Sequence, residues 1–155
     1  MAAEYLANAV QQVALNAPVI FTASIPCKKG YVYHEDETGI FILRGITCGQ
    51  CFATYRVTFN GNIAVPEGGT VPAGGIAVSI TVNGEPRLTS RAIYVPAAAG
   101  DANYGNVTST AIIKVPKGCC FSLSVDAVPA TSDPTVTPAP VINVQNANLV
   151  IDRIA

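Results

Sequence analysis

Ile76-Ala77-Val78-Ser79-Ile80-Thr81-Val82, followed at once by Asn83-Gly84, is the stretch that decides the fold class. Ile76, Val78, Ile80 and Val82 alternate with Ala77, Ser79 and Thr81, the period of two that turns one side of a β-strand into a core. Asn83-Gly84 then supplies the positive φ angles of a tight hairpin turn. Working outward, Cys51, Ala53, Tyr55, Val57 and Phe59 share one side of a second strand, opposite Phe52, Thr54, Arg56 and Thr58. Val107, Ser109, Ala111, Ile113 and Val115 repeat the pattern against Thr108, Thr110, Ile112 and Lys114. Further strands are expected over residues 10–15, 18–23, 31–34, 40–44, 88–95, 120–127 and 141–154, which brings the total close to ten. Asn60-Gly61 reads as another hairpin turn. Pro66-Glu67-Gly68-Gly69 and Pro72-Ala73-Gly74-Gly75 bracket a longer excursion. The stretch 129–140 reads as an extended loop, because Pro129, Pro134, Pro138 and Pro140 remove backbone donors that a central strand needs. Residues 1–13 could hold a short helix through Leu6, Val10 and Val13, or an extended arm.

Composition narrows the class of molecule. Only 12% of the 155 residues are charged while 50% are hydrophobic, against roughly 25% charge in an ordinary soluble domain. The reading is that a lone chain would struggle to cover its apolar residues, so an assembly is expected. The length fits one domain spanning residues 1–155 with a single core. Nine Lys and Arg against ten Asp and Glu, scattered along the chain, give no positive field to collect phosphates, so nucleic-acid binding is not expected. No apolar run approaches the ~20 residues of a spanning helix, so membrane insertion is not expected either. Met1-Ala2-Ala3-Glu4-Tyr5-Leu6-Ala7-Asn8 lacks a basic stretch followed by an apolar one, which points to synthesis in the cytoplasm without a signal peptide.

About ten short strands with long crossing loops suit a two-sheet antiparallel jelly roll better than an up-and-down barrel. Three segments add a resemblance: 49–66 (GQCFATYRVTFNGNIAVP), Val115-Pro116-Lys117-Gly118-Cys119-Cys120, and Val144-Gln145-Asn146-Ala147-Asn148-Leu149-Val150-Ile151. With them the chain resembles small proteins encoded by phages and prophages of gut Firmicutes, which are similar to the tumour necrosis factor and C1q-like jelly rolls. The likeness spans nearly the whole chain and rests on structural motifs. It implies ten strands in two sheets and a compact homotrimer packed around a threefold axis, with closed symmetry preventing runaway association. The Gly-X-Y stalk of many C1q-type proteins is missing from this sequence.

Candidate chemistry is sparse. Cys48-Gly49-Gln50-Cys51 and Cys119-Cys120 could bring two thiolate pairs to a zinc ion. Adjacent cysteines in a strand, however, point to opposite faces. A disulfide among these or Cys27 is the next alternative, and buried thiols are the default for a chain made in a reducing compartment. A thioredoxin-like use of Cys48 and Cys51 would need a helix N-terminus that the pattern does not contain. His34, the only histidine, opens His34-Glu35-Asp36-Glu37, where calcium or acid-base work is imaginable. An exposed hairpin turn ending in Thr38-Gly39 is the simpler reading. With one histidine and no Gly-x-Ser-x-Gly elbow, nucleophilic catalysis is not expected. Glu67, Glu85, Asp101, Asp126 and Asp133, as loop acids, read as solvated charges rather than a glycosidase pair. Asn106-Val107-Thr108 matches a glycosylation sequon, read as coincidence. Tyr94 and Tyr104 flank the loop 96–103, which could contact a partner or simply be covered at its base by the tyrosines.

The expectation is therefore a protein with no catalytic, cofactor-binding or metal site. It would be a structural or interaction protein, a homotrimeric phage or prophage virion component such as a decoration, fibre-head or appended module. Its partners would be other virion proteins or a host-surface ligand. The alternative is an adhesin or lectin-like module binding a glycan or surface protein.

Overall fold

The computed structural model describes residues 2–25 and 30–155. Within them the chain forms β1 (Ala2–Ala7), β2 (Gln11–Ala14), β3 (Ala23–Ile25), β4 (Val32–His34), β5 (Phe41–Arg44) and β6 (Phe52–Ala64). There follow β7 (Ile76–Val82), β8 (Glu85–Pro86), β9 (Ala92–Tyr94), β10 (Gly105–Pro116), β11 (Cys120–Pro129) and β12 (Val141–Arg153). The first sheet runs β10-β6-β12-β1-β3, with β2 also on β12; the second runs β4-β5-β11-β7-β8, with β9 also on β7. Every pairing is antiparallel. This is the two-sheet jelly roll expected from the strand pattern.

The period of two does what it predicts. Ala53, Tyr55, Val57 and Phe59 on β6 and Val107, Ala111, Ile113 and Val115 on β10 are buried, while Thr108, Thr110 and Lys114 are exposed. They meet Ile76, Val78 and Ile80 of β7 and Leu123, Val125 and Ala127 of β11 from the other sheet. Tyr55 is fully buried with its hydroxyl donating to the Arg44 carbonyl at 2.6 Å and the Tyr31 carbonyl 3.1 Å away, so the first sheet is tied to the second at that end. Asn83 and Gly84 carry φ of 52° and 80° in the β7–β8 turn, as their types require. The stretch 130–140 is a loop, shaped by Asp133, whose carboxylate accepts from the Thr135 amide and hydroxyl.

Several expectations are corrected. Residues 2–13 take the extended alternative rather than the helix: β1 inserts between β12 and β3 because Ala3, Tyr5 and Ala7 alternate into the core. Asn60-Gly61 is not a turn but the interior of β6, paired with Thr108 and Val107. Gly61 is needed there for space, since a Cβ would lie 2.8 Å from the Phe59 ring. Residues 18–23 do not form one strand: Pro18 bridges to Asp126 of the second sheet, Ile20 gives its amide to the Gln11 side chain, and Ala23 opens β3 in the first sheet. The stretch 88–95 splits into a 3-10 turn at Leu88–Ser90 and β9.

A lone chain also covers itself better than composition suggested. Its accessible surface is 7704 Å², close to the ~7,400 Å² typical of a 16 kDa monomer. Much of the apolar half of the sequence sits between the two sheets, while Val10, Ile25, Phe52, Leu88, Val95 and Ile112 are among the large apolar side chains left exposed. The scarcity of charge instead shows on the outside, on faces made of hydroxyl and amide side chains.

Candidate functional site

The broadest such face is the outer side of the first sheet. Strand register lays its side chains out in rows: Ala64–Asn143–Gln12 next to Asn106–Asn62–Gln145, then Thr108–Asn60–Asn148–Leu6. Below these lie Thr110–Thr58–Val150–Glu4 and Ile112–Arg56–Asp152–Ala2. The Asn106 amide donates to Asn60 at 2.7 Å and Asn62 at 3.1 Å, Asn148 donates to Glu4 at 2.7 Å, and the Thr58 and Thr110 hydroxyls lie 3.4 Å apart. The charges on it are few, and Arg56 and Asp152 pair at 2.8 Å. Cross-strand pairs of this kind hold side chains in fixed positions. The result is a surface partly hydrogen-bonded within itself, which can be covered by another protein without stranding many charges.

Two concave regions adjoin it. At the edge where β10 and β8 diverge, a cleft of about 500 Å³ is floored by Val82, Pro86, Ile113 and Phe121, and Arg87 bridges it by donating to the Ile112 carbonyl at 2.8 Å. At the end of the sandwich, a groove of about 330 Å³ runs between loop 66–75 and the proline-rich loop, with Gln12, Glu67, Thr70 and Pro140 on its walls.

The residues singled out by sequence fall elsewhere. His34 is stacked on Phe41 with centroids 4.4 Å apart and meets Tyr5 edge-on at 5.0 Å, while its Nε2 lies 2.9 Å from the Thr38 carbonyl. It is a packing residue, and Glu35, Asp36 and Glu37 stand exposed in the β4–β5 turn, as the turn reading expects. Among the described residues, no group of three or more His, Cys, Asp or Glu side chains could hold a metal ion. Cys48, Cys51, Cys119 and Cys120 are free thiols, but they are exposed, which corrects the expectation of buried thiols. They lie in and beside two loops that cross the end of the sandwich, outside the hydrophobic layer. Cys27 lies outside the described residues.

Tyr94 covers the base of loop 96–103: its ring lies against Gly105, where a Cβ would come within 2.3 Å. The Tyr104 hydroxyl is buried without a hydrogen-bond partner among the described residues, as is Asn143 Oδ1, and burial, with Asp101 adding to it, raises the Tyr104 pKa above the ordinary value. Asn106 of the sequon lies in the middle of the amide rows, its side chain already engaged. Asp126 is not a solvated loop acid. It sits on the outer side of β11, where burial raises its pKa against the hydrogen bond from Ser124 at 2.8 Å. The amide and threonine rows went unread in the sequence. Their signal is there, as the polar halves of the same alternations that marked the core.

No protein-family profile and no curated protein matches the chain. Solved structures do. The globular domain of zebrafish complement 1qA protein superposes with a TM-score of 0.62 at 12% identity, over 99% of this chain and 97% of that one. Eiger TNF from S. frugiperda gives 0.62 at 12% identity, over 100% and 92%. Murine APRIL at pH 5.0 gives 0.54 at 10% identity, over 99% and 100%. The chain therefore has the fold of the tumour necrosis factor and C1q-like jelly rolls along its whole length.

Proposed function

We propose that the protein is a non-enzymatic interaction module that assembles as a homotrimer and serves as a phage or prophage virion component: a decoration, fibre-head or appended module. The observation that carries the assembly is the outer face of the first sheet. It is broad and poor in charge, and Asn60, Asn62, Asn106, Asn148, Glu4, Arg56 and Asp152 are already paired with one another, so covering that part with a second copy limits the desolvation cost. The fold likeness to complement 1qA and Eiger TNF supports an interaction role rather than catalysis. The virion role rests on the sequence resemblance, and genes for capsid, portal or tail proteins beside this one would support it.

Static light scattering at micromolar concentration tests the assembly: a mass three times that of the chain is expected, and a monomer refutes it. Val150→Arg, in the middle of the face, is expected to yield a folded monomer with unchanged circular dichroism. A specific interface typically buries about 1,200–2,000 Å², so one unpaired buried cation is enough to prevent it.

A second reading, an adhesin or lectin-like module, draws on the groove walled by Gln12, Glu67 and Thr70, where polar groups converge on a concave surface. Competable binding of the purified protein to particular glycans on an array would favour it over a purely structural role.

A further inference from the structure

Two Asn-Gly pairs occur in the chain, Asn60-Gly61 and Asn83-Gly84. In such a pair the backbone nitrogen of the glycine can attack the side-chain amide carbon of the asparagine before it. The five-membered ring that closes consists of asparagine atoms and the nitrogen bonded to them, so covalent connectivity alone guarantees the reach. What decides the reaction is freedom about the asparagine χ1 and ψ torsions, and whether the glycine N–H is engaged. The fold treats the two pairs oppositely.

Asn60-Gly61 is clamped in the interior of β6. Asn60 lies opposite Thr108 on one side and Asn148 on the other, and its side-chain oxygen accepts from Asn106 at 2.7 Å. Arg87 reaches the Ile112 carbonyl from the open edge of β10, and the Lys117 amide bonds the Cys51 carbonyl, so the odd-numbered residues of β10 direct their backbone groups at β6. Val107 is one of these and lies opposite Gly61, which places the Gly61 amide in the ladder. The Phe59 ring and the Ala147 backbone lie against Gly61 as well.

Asn83-Gly84 is the tip of the β7–β8 hairpin. Both residues are exposed, and nothing lies within 4 Å of where a Cβ of Gly84 would stand. The Gly84 amide has no hydrogen-bond partner among the described residues. Asn83 is held through Ser122: its amide donates to the Ser122 carbonyl at 2.9 Å and its Oδ1 accepts from the Ser122 amide at 2.9 Å. These bonds lie at an exposed tip where water can replace them, and β8 beyond is only two residues long, so opening the tip disturbs little of the fold.

We propose that Asn83 is a self-modification site, converted without an enzyme to aspartate and isoaspartate, while Asn60 is preserved. The Gly84 nitrogen loses its proton to hydroxide and bonds to Asn83 Cγ. The Cγ–Nδ2 bond then breaks and ammonia leaves, taking up a proton from water, which gives a succinimide. Water adds to either ring carbonyl: opening at Cγ yields aspartate, and opening at the main-chain carbon of Asn83 yields isoaspartate. The sum is one water taken up and one ammonia released, with nothing oxidised or reduced. The product sets a new carboxylate two residues from Glu85, on the rim of the cleft floored by Val82 and Pro86. The isoaspartyl form also adds a carbon to the backbone of a turn that closes through φ of 52° and 80° at its two residues, so the modified tip no longer fits its strands.

The experiment incubates the full-length native protein at pH 8.5 and, in parallel, the same chain unfolded in guanidinium chloride, then follows both Asn-Gly peptides by digestion and mass spectrometry. In the unfolded chain both sites are expected to exchange ammonia for water at similar rates. In the native protein, conversion at 83 is expected to exceed that at 60 by at least about tenfold, because a hairpin tip opens locally whereas a central strand opens only with its sheet. Fragmentation of the converted peptide is expected to show both isomers at 83. Equal rates at the two sites in the native protein, faster conversion at 60, or an unchanged Asn83 over the time in which the unfolded chain reacts would overturn the proposal.

Discussion

Asp126 shows how one residue is read differently once its surroundings are known. Its position near a strand end suggested a solvated acid, but the β11–β7 register sets it opposite Ser79 and beside Ser124 and Thr81, partly out of water. Burial favours the neutral form, so the folded-state pKa is raised above the ordinary 3.8. The folded chain then holds this proton more tightly than the unfolded one. Stability is complete below about 3.8 and declines as pH rises through the folded value. Asp126→Asn is therefore expected to raise the thermal midpoint at pH 7 and to match the parent chain at pH 3, as calorimetry at the two pH values would read. His34 makes the opposite point: a lone histidine beside three acids invites a functional reading, and its ring proves to be part of an aromatic cluster with Tyr5, Phe41 and Phe21.

At the scale of elements, β6 is the strand where local rules and tertiary packing compete. Asn60-Gly61 has the local chemistry of a hairpin, yet the strand continues to Ala64 because β10 and β12 pair with it on both sides. Gly61 lies under the Phe59 ring, near the irregularity in β12 between Gln145 and Asn148, where Asn146 takes a φ of 53°. Its role is steric rather than conformational. Gly61→Ala is expected to cost about 1–2 kcal/mol, the displacement of a fully buried ring outweighing the entropy gained by the stiffer unfolded chain. Urea denaturation followed by circular dichroism measures this. The elements β1, β3 and β8 are not legible as strands in the sequence: residues 1–13 read equally as a short helix or an extended arm, and β3 and β8 span only three and two residues. Each exists because a longer neighbour offers it a free edge.

For the whole molecule, most contacts join residues far apart in sequence, as in the pairing of β1 with β12. Closing such long loops precedes any reward from contact, so folding on the millisecond-to-second scale is expected, as stopped-flow refolding would show. A microsecond phase carrying the full amplitude would contradict this. The low charge has a different meaning at this scale than in the composition. It marks uncovered apolar surface only in part, because the two sheets bury most large apolar side chains while Val10, Ile25, Leu88 and Val95 stay exposed. It also marks a face of threonine and asparagine partly bonded within itself, and the proposed assembly rests on that face.

The all-β class, the inward-facing halves of the long strands and the Asn83-Gly84 turn are legible in the residues alone, and the two-sheet jelly roll with the help of a family resemblance. Alternation and turn chemistry act between near neighbours and need no partner to be recognised. Only the tertiary structure decided that Asn60-Gly61 lies within a strand, that residues 2–7 insert into a sheet, and that four cysteines stand exposed. It alone assembled the polar residues of β1, β6, β10 and β12 into one face. Those outcomes depend on which distant strands lie side by side, a property of register and crossover that no single stretch of chain contains.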